Sequence, residues 1–208
     1  RAEELATLMT LEMGKSVAES KAEITYAAEF FRWFSGEALR IDGNYNGNDA
    51  TLDIYGSYTW YWGFEIFNSD PTRISPSMPP RRGTGVQVRG DGTRMINMIV
   101  HDTTQGVSVA EAATDGRIYG CLFYYNGYKA PDRGHGHGIY AQNLGSTPKP
   151  IYDNIIFQQF GWGIHAYAEG GHLDHFDFQG NVSFNNGALS GSWHSNFLLG
   201  GTQNKAIS

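Results

Sequence analysis

Chemically reactive side chains are concentrated in one short segment of this sequence. Residues 129–137 hold two histidines, one aspartate and two cationic side chains within nine positions. Gly136 and Gly138 flank the second histidine and permit backbone conformations that allow a ligand to approach closely. We therefore expect this segment to supply acid–base chemistry. Its candidate catalytic side chains are Asp132, His135 and His137.

A fourth candidate, Asp102, lies in a short bend at residues 101–105. Asp102 and Asp132 could act as the acid and base of a glycoside hydrolase, tuned by the nearby histidines. Carboxyl groups one strand spacing apart would be separated by about 5 Å, as in retaining enzymes, and two spacings give about 9.6 Å, nearer the inverting distance. Long connections at 69–84 and 126–137 predict a groove with the bend as its floor.

Cationic and aromatic side chains near this groove are candidate substrate contacts, because aromatic rings with polar tips can stack on sugars. We expect the following to bind substrate: Arg89, His101, Arg133, Tyr140, Trp162, His165 and Tyr167. A hydrolase of this kind needs no cofactor.

Three alternatives remain open. In a polysaccharide lyase acting on uronate polymers, a histidine or Tyr140 would abstract a proton while Arg89 or Arg133 neutralises the uronate, and bound Ca²⁺ could offset the negative net charge of the chain. Asp132, His135 and His137 could instead bind a metal ion. The third alternative is a glycan-binding or scaffold protein without chemistry.

These side chains must be positioned by short strands that recur along residues 43–208. Gly85-Val-Gln-Val, Gly106-Val-Ser-Val, Gly138-Ile-Tyr-Ala and Gly163-Ile-His-Ala share one pattern, and a second pattern such as Gly120-Cys-Leu-Phe-Tyr alternates with it. Repeats of this length predict stacked parallel coils. Because successive side chains of a strand point to opposite faces, one column of side chains is predicted to face the interior: Val86, Val107, Ile139 and Ile164. In the second pattern the same alternation places Phe157 and Phe184 inside and Gln158 and Asn185 outside, and it buries Cys121 as an inert thiol.

Composition changes sharply near residue 42. Residues 1–41 contain no Pro, Asn or His, whereas residues 42–208 hold all 7 Pro, all 7 His and most of the 27 Gly. The first segment has helical apolar spacing, and Ser16-Val-Ala-Glu19 predicts a capping box. We therefore expect two domains of a chimeric, fusion-like chain, with residues 1–42 as a helical N-terminal cap on residues 43–208.

The net charge of −6 and the single cysteine exclude several classes. An acidic chain is a poor ligand for nucleic acid or for an anionic membrane, and one cysteine excludes an internal disulfide. We expect a carbohydrate partner and a homo-oligomer through an uncapped C-terminal end. Localisation is left open, extracellular or periplasmic if a signal segment precedes the chain.

Two resemblances accompany these patterns. Arg1-Ala-Glu-Glu-Leu-Ala, Leu8-Met-Thr-Leu-Glu-Met-Gly-Lys15 and residues 23–34 resemble a helical segment of the aldehyde dehydrogenase family, succinate-semialdehyde type. In that family the segment is scaffold, and the catalytic Cys, the catalytic Glu and the dinucleotide site lie elsewhere.

The second half resembles the right-handed parallel β-helix superfamily of pectate lyases and polygalacturonases. Gly136-His-Gly-Ile139 followed by Asn143-Leu-Gly is similar to a polygalacturonase segment whose histidine assists catalytic aspartates. The expected fold is therefore mainly β, a right-handed parallel β-helix (solenoid) preceded by an α-helical cap.

Overall fold

The computed structural model divides the chain into two compact units, Arg1–Asp42 and Gly43–Ser208. The residues it describes are 2–38, 50–75, 83–168, 170–191 and 194–201. Each unit is treated by itself below, as the helical unit and the sheet unit.

The helical unit consists of α1 (Ala2–Met13) and α2 (Val17–Ala38), which pack against each other. Gly14 ends α1 with a φ of 69°, a conformation that glycine adopts without steric cost. The predicted capping box is confirmed, because the Glu19 amide donates to Ser16 Oγ at 3.2 Å and the Ser16 amide donates to Glu19 Oε2 at 3.1 Å. Two of the unpaired amides that every helix start exposes are thus satisfied.

The sheet unit contains three parallel sheets and one short antiparallel pair. The six strands of the first sheet are, in spatial order, β1 (Leu52–Ile54), β4 (Val86–Val88), β7 (Val107–Val109), β12 (Ile139–Ala141), β15 (Ile164–Ala168) and β18 (Phe197–Gly201). The second sheet is ordered β2 (Trp60–Trp62), β5 (Arg94–Ile96), β8 (Arg117–Tyr119), β13 (Lys149–Tyr152) and β16 (Phe176–Gln179). The third is ordered β3 (Glu65–Phe67), β6 (Ile99–His101), β9 (Leu122–Tyr124), β14 (Ile155–Phe157) and β17 (Val182–Phe184). The antiparallel pair is β10 (Tyr128–Lys129) with β11 (Gly134–His135).

The predicted inward column of the first sheet is confirmed. Val86 pairs with Val107, Val107 with Ile139 and Ile139 with Ile164, and all four side chains are fully buried. Cys121 is also buried, as expected. The core therefore lies between the sheets, and alternate side chains of the strands face outward.

The third sheet differs from the predicted alignment by one residue in its last two strands. Its strands are preceded by residues with positive φ, at Gly63, Asn97, Gly120, Asp153 and Gly180. Ile155 pairs with Leu122, so Asp153 aligns with Gly120, one residue earlier than the predicted inward positions of Phe157 and Phe184 require. The interior position belongs to Ile156, and Phe157 and Phe184 face outward instead of inward.

Buried amide side chains form a ladder inside one corner. The main-chain amide of each rung donates to the side-chain oxygen of the next: Thr103 to Asn126, Asn126 to Gln159, Gln159 to Asn186, and Asn186 to Asn196, at 3.1–3.2 Å. The ladder satisfies main-chain groups that the corner removes from the sheets.

The predicted fold class is corrected. We expected a mainly β chain, a right-handed parallel β-helix closed by a helical cap. The chain is instead a mixed structure in which helices of 12 and 22 residues form a unit of their own and three parallel sheets form another. The described residues do not support the predicted right-handed coil or the predicted role of residues 1–42 as its cap. Among those residues, no helix is both long and apolar enough to cross a membrane.

Candidate functional site

Asp132 and His135 form a pair on the antiparallel hairpin of β10 and β11. His135 Nε2 lies 2.9 Å from Asp132 Oδ1, and the His135 ring stacks on Tyr128 at 5.1 Å. The hydrogen bond from His135 holds the pKa of Asp132 below its usual value. The Asp132 carboxylate is therefore stabilised in its charged form.

Asp102 belongs to a separate group of charges at the end of β6. Its carboxylate accepts a hydrogen bond from His101 Nδ1 at 2.6 Å and forms an ion pair with Arg73. The other ring nitrogen of His101 lies 3.2 Å from Glu65 Oε1. Asp102 has a φ of 56° at the position where Tyr125, Gln158 and Asn185 have nearly the same value, so its conformation is a property of this corner.

The two long connections contact each other at this corner. The Lys129 amide donates to the Arg73 carbonyl at 2.7 Å, and the Ser75 amide donates to the Lys129 carbonyl at 2.9 Å. We expected the connections to form two walls with the bend between them. The structure instead pairs them, and Arg73 reaches Asp102 from the first connection, whose residues 76–82 lie outside the described residues.

His137 does not join His135 and Asp132, although it is two residues from His135. It belongs to a group of five rings that we call the imidazole cluster: His137, Tyr140, Trp162, His165 and His194. His137 Nε2 lies 3.0 Å from His165 Nδ1, and the Trp162 and His194 ring centroids are 4.1 Å apart. The positive φ of Gly136, 93°, turns the chain between the two histidines.

Burial gives the imidazole cluster an unusual electrostatic state. Desolvation, with the neighbouring His165 and Arg133, lowers the pKa of His137 well below its usual value. Desolvation and Arg133 lower the pKa of His165 to about 4, and desolvation also lowers that of His194. All three rings are therefore neutral near pH 7.

The remaining predicted contacts lie around this cluster or away from it. Arg133 lies over the Trp162 ring at 5.3 Å, and the Tyr167 ring lies 6.0 Å from that of His165. Arg89 pairs with Asp53 at 3.0 Å, on a different part of the first sheet. The structure thus brings together Arg133, Tyr140, Trp162, His165, Tyr167 and His137, and it places the two carboxylates in other groups.

No group of three His, Cys, Asp or Glu side chains within the described ranges has the geometry to hold a metal ion. The arrangement of Asp132, His135 and His137 as metal ligands is therefore not formed. Whether the protein uses a cofactor stays a prediction from the sequence.

Sequence reasoning missed two side chains of these groups and a buried lysine elsewhere in the sheet unit. Arg73 was overlooked because it lies in a long connection, and His194 because it follows His165 by 29 positions without a shared motif. Lys149 was missed because a lysine in a strand is usually exposed, yet here it is 1 % exposed beside a small cavity. The only signal was its place in the alternation of β13, where it occupies an inward position.

Comparison with known proteins gives similarity at the N-terminus. Residues 1–58 match the model of the aldehyde dehydrogenase family. A succinate-semialdehyde dehydrogenase [NADP(+)] of Schizosaccharomyces pombe is 58 % identical over 43 residues, which is 21 % of this chain and 9 % of that protein. One of Escherichia coli is 57 % identical over 42 residues, 20 % of this chain and 9 % of the relative. A glutarate-semialdehyde dehydrogenase of Pseudomonas putida is likewise 57 % identical over 42 residues, 20 % of this chain and 9 % of that protein.

The chain spans about a tenth of the length of the curated relatives it matches. No solved structure matches it. The expected resemblance of residues 1–42 to aldehyde dehydrogenases is confirmed, and the β-helix resemblance of the second half receives no support.

These relatives overturn the predicted function. They are semialdehyde dehydrogenases, which are oxidoreductases, so the glycoside hydrolase, the polysaccharide lyase, the glycan-binding alternative and the carbohydrate partner were wrong. The geometry agrees, because a glycosidase acid needs a raised pKa. Asp132 has a lowered pKa and Asp102 is paired with Arg73. The expected homo-oligomer through the uncapped C-terminal end stays a prediction, and residues 202–208 of that end lie outside the described residues.

Proposed function

We propose that the helical unit serves as a structural helix pair of an aldehyde dehydrogenase-type oxidoreductase, in a protein that oxidises a semialdehyde with a nicotinamide cofactor. The observation that carries this proposal is the 57–58 % identity to succinate-semialdehyde dehydrogenases in the segment that forms α1, its turn and α2. The substrate class is taken from the names of those relatives.

The contacts of the helical unit support a scaffold role. Three contacts link one helix with the other or with the turn between them: Thr10 Oγ1 lies 2.9 Å from Ser20 Oγ, Lys21 pairs with Glu3 at 2.6 Å, and Lys15 pairs with Glu23 at 2.5 Å. The reciprocal cap of Ser16 and Glu19 fixes the start of α2. Side chains paired in this way hold the two helices together.

The single cysteine of the chain supports the same division of roles. Aldehyde oxidation in the resembled family uses a cysteine thiolate, and a thiolate requires a lowered pKa and access to substrate. Cys121 is buried, and desolvation raises its pKa to about 11. We therefore assign the oxidation step to parts of the oxidoreductase that the resemblance places outside these residues.

The scaffold role can be tested by transplantation. The 42-residue segment of the Escherichia coli relative that matches this chain is replaced by the matching residues of this chain, and NADPH formation from succinate semialdehyde is measured. We expect a kcat/KM close to that of the parent enzyme. A soluble, folded chimera without activity would contradict the proposal.

A matched control is the same transplant carrying Ser16→Ala. Loss of an N-cap costs about 1 kcal/mol, so we expect a lower Tm with an unchanged kcat. The 208-residue chain is assayed in parallel with NADP⁺ and succinate semialdehyde. Turnover by this chain that disappears in Cys121→Ser would show that the thiol is catalytic and the scaffold assignment is wrong.

A further inference from the structure

We propose that the imidazole cluster is an acid-sensitive latch, which holds His194 against Trp162 while the histidine rings are neutral and releases it when they take up protons. This inference concerns the sheet unit and is independent of the role proposed for the helices.

The latch joins three parts of the chain that are distant in sequence. His137 precedes β12, His165 lies on β15, and His194 follows the turn at residues 187–191. The rings meet through the 3.0 Å contact between His137 Nε2 and His165 Nδ1, and through the 4.1 Å approach of His194 to Trp162. The Trp162 ring also lies 5.2 Å from both His137 and His165, so it connects the two pairs.

The cluster contains two buried ring nitrogens without a hydrogen-bond partner among the described residues, His137 Nδ1 and His165 Nε2. Because one neutral imidazole donates to the other across the 3.0 Å contact, one of these two nitrogens carries a hydrogen and the other is the site that can take up a proton. A buried ring nitrogen without a partner loses the hydrogen bond that it would make with water, and this cost is larger when the ring is charged. Protonation of the rings therefore favours their exposure to water.

The charged and titratable groups that face the three rings are mostly cationic or neutral. They are Arg133 and His135 from the hairpin, and Tyr140 and Tyr167 from the first sheet. The Gly134 carbonyl faces His194 and opposes the fall in its pKa. The carboxylate on the hairpin, Asp132, is hydrogen-bonded to His135. Protonation of His137 and His165 would therefore place two positive charges about 3 Å apart and close to Arg133. The described hydrogen bonds include no carboxylate that would compensate these charges.

The direction of the pH dependence follows from linkage. The pKa of His165 is about 4 in the folded chain and about 6.5 when the ring is exposed to water. The open state therefore binds more protons between those values, so the closed state loses stability as the pH falls below about 6.5. For His165 alone the opening constant would rise up to about 20-fold from pH 7 to pH 5. Because this ring is partly exposed and solvent screens its charge, we expect a rise of about fivefold.

Hydrogen–deuterium exchange of the full chain at pH 7 and pH 5, corrected for intrinsic rates, tests the latch. We expect peptides containing His194 to exchange at least fivefold faster at pH 5, while peptides of β9 in the core change little. The double variant His137→Gln/His165→Gln should lose most of this acceleration. His175→Gln is the matched control, because His175 is exposed, and it should behave like the parent.

The proposal would be overturned if the peptides containing His194 did not exchange faster at pH 5 than at pH 7 in the parent chain. It would also be overturned if the core peptides showed an equal increase in exchange rate, or if the double variant kept the full increase. Should the double variant fail to fold, the single variant His165→Gln keeps the test, since it removes the ring whose titration was used for the expected pH dependence. Its acceleration between pH 7 and pH 5 should be smaller than that of the parent chain, and an equal acceleration would overturn the proposal.

Discussion

The Lys149 ammonium group donates a hydrogen bond of 2.8 Å to the carbonyl oxygen of Gln142, inside the sheet unit. A second hydrogen bond, of 2.7 Å, goes to the Ala113 carbonyl. Desolvation lowers the pKa of Lys149 to about 7. The interior thus holds an amine that is close to half protonated at neutral pH, a state in which small changes in pH change the charge of the core.

Stability should therefore rise with pH just above neutrality. The folded pKa of Lys149 is about 7 and the unfolded value is about 10.4, so the unfolded chain binds more protons within that window and folding is favoured as pH increases. Between pH 7 and 8.5 we expect a gain of about 1–2 kcal/mol in the free energy of unfolding, measured by urea denaturation. Lys149→Met should flatten this dependence, and an equal slope in the variant would contradict the assignment.

Cys121 should be unreactive in the folded chain. Its thiol is buried and its pKa is raised to about 11, so the thiolate needed for disulfide exchange is scarce and inaccessible. We expect no reaction with a chromogenic disulfide reagent at pH 8 in native buffer and one equivalent released in 6 M guanidinium chloride. Rapid modification of the native chain would show that the core around β9 opens readily.

The amide ladder should be a strong contributor to the stability of the sheet unit. Asn126 accepts from the Thr103 amide and hydroxyl and donates to the Val100 carbonyl at 3.1 Å. Asn126→Ala leaves these buried groups unpaired, so we expect a loss of about 2–4 kcal/mol in urea denaturation. The exposed Gln179→Ala should change stability by less than about 0.5 kcal/mol. If both variants change the free energy of unfolding by similarly small amounts, water must replace the hydrogen bonds of the Asn126 side chain.

The outer face of the third sheet carries a column of stacked rings: Phe67, His101, Tyr124, Phe157 and Phe184. Tyr124 lies 4.6 Å from His101 and 5.4 Å from Phe157, with interplanar angles of 7° and 10°. Tyr124→Ala removes two stacked pairs, and we expect a loss of about 1–3 kcal/mol. A double-mutant cycle with Phe157→Ala measures the coupling between the rings. Strict additivity would show that they are neighbours without mutual stabilisation.

The sequence predicted strand positions better than it predicted corners. The column of Val86, Val107, Ile139 and Ile164 followed from alternation, because β-branched residues recur after glycine at one side of each strand. The last two strands of the third sheet were predicted one residue out of register, because asparagine has two roles in this unit. It adopts positive φ at Asn97, whereas Asn154 lies inside and accepts from the Cys121 amide at 2.9 Å. Residue type alone cannot separate these roles.

The candidate site was harder to predict, because its groups depend on contacts between distant segments. The pairing of Tyr140 with His165 followed from strand register. The separation of His135 from His137 did not, since it depends on the turn at Gly136 and on the partners each ring finds. The predicted function was wrong because the strand repeats of residues 43–208 were given more weight than the match of the N-terminal helices to aldehyde dehydrogenases. Such repeats indicate a fold, and one fold can have many functions.

The direction of the amide ladder also bears on how the chain is made. Every rung is completed by a side chain that comes later in the sequence, from Thr103 through Asn126 and Gln159 to Asn186 and Asn196. A chain emerging from the ribosome therefore cannot satisfy one rung until the following stretch of about 10–33 residues has been translated. Synthesis halted before Asn196 would leave the main-chain amide of Asn186 without its acceptor, so such fragments should be less stable than the full chain.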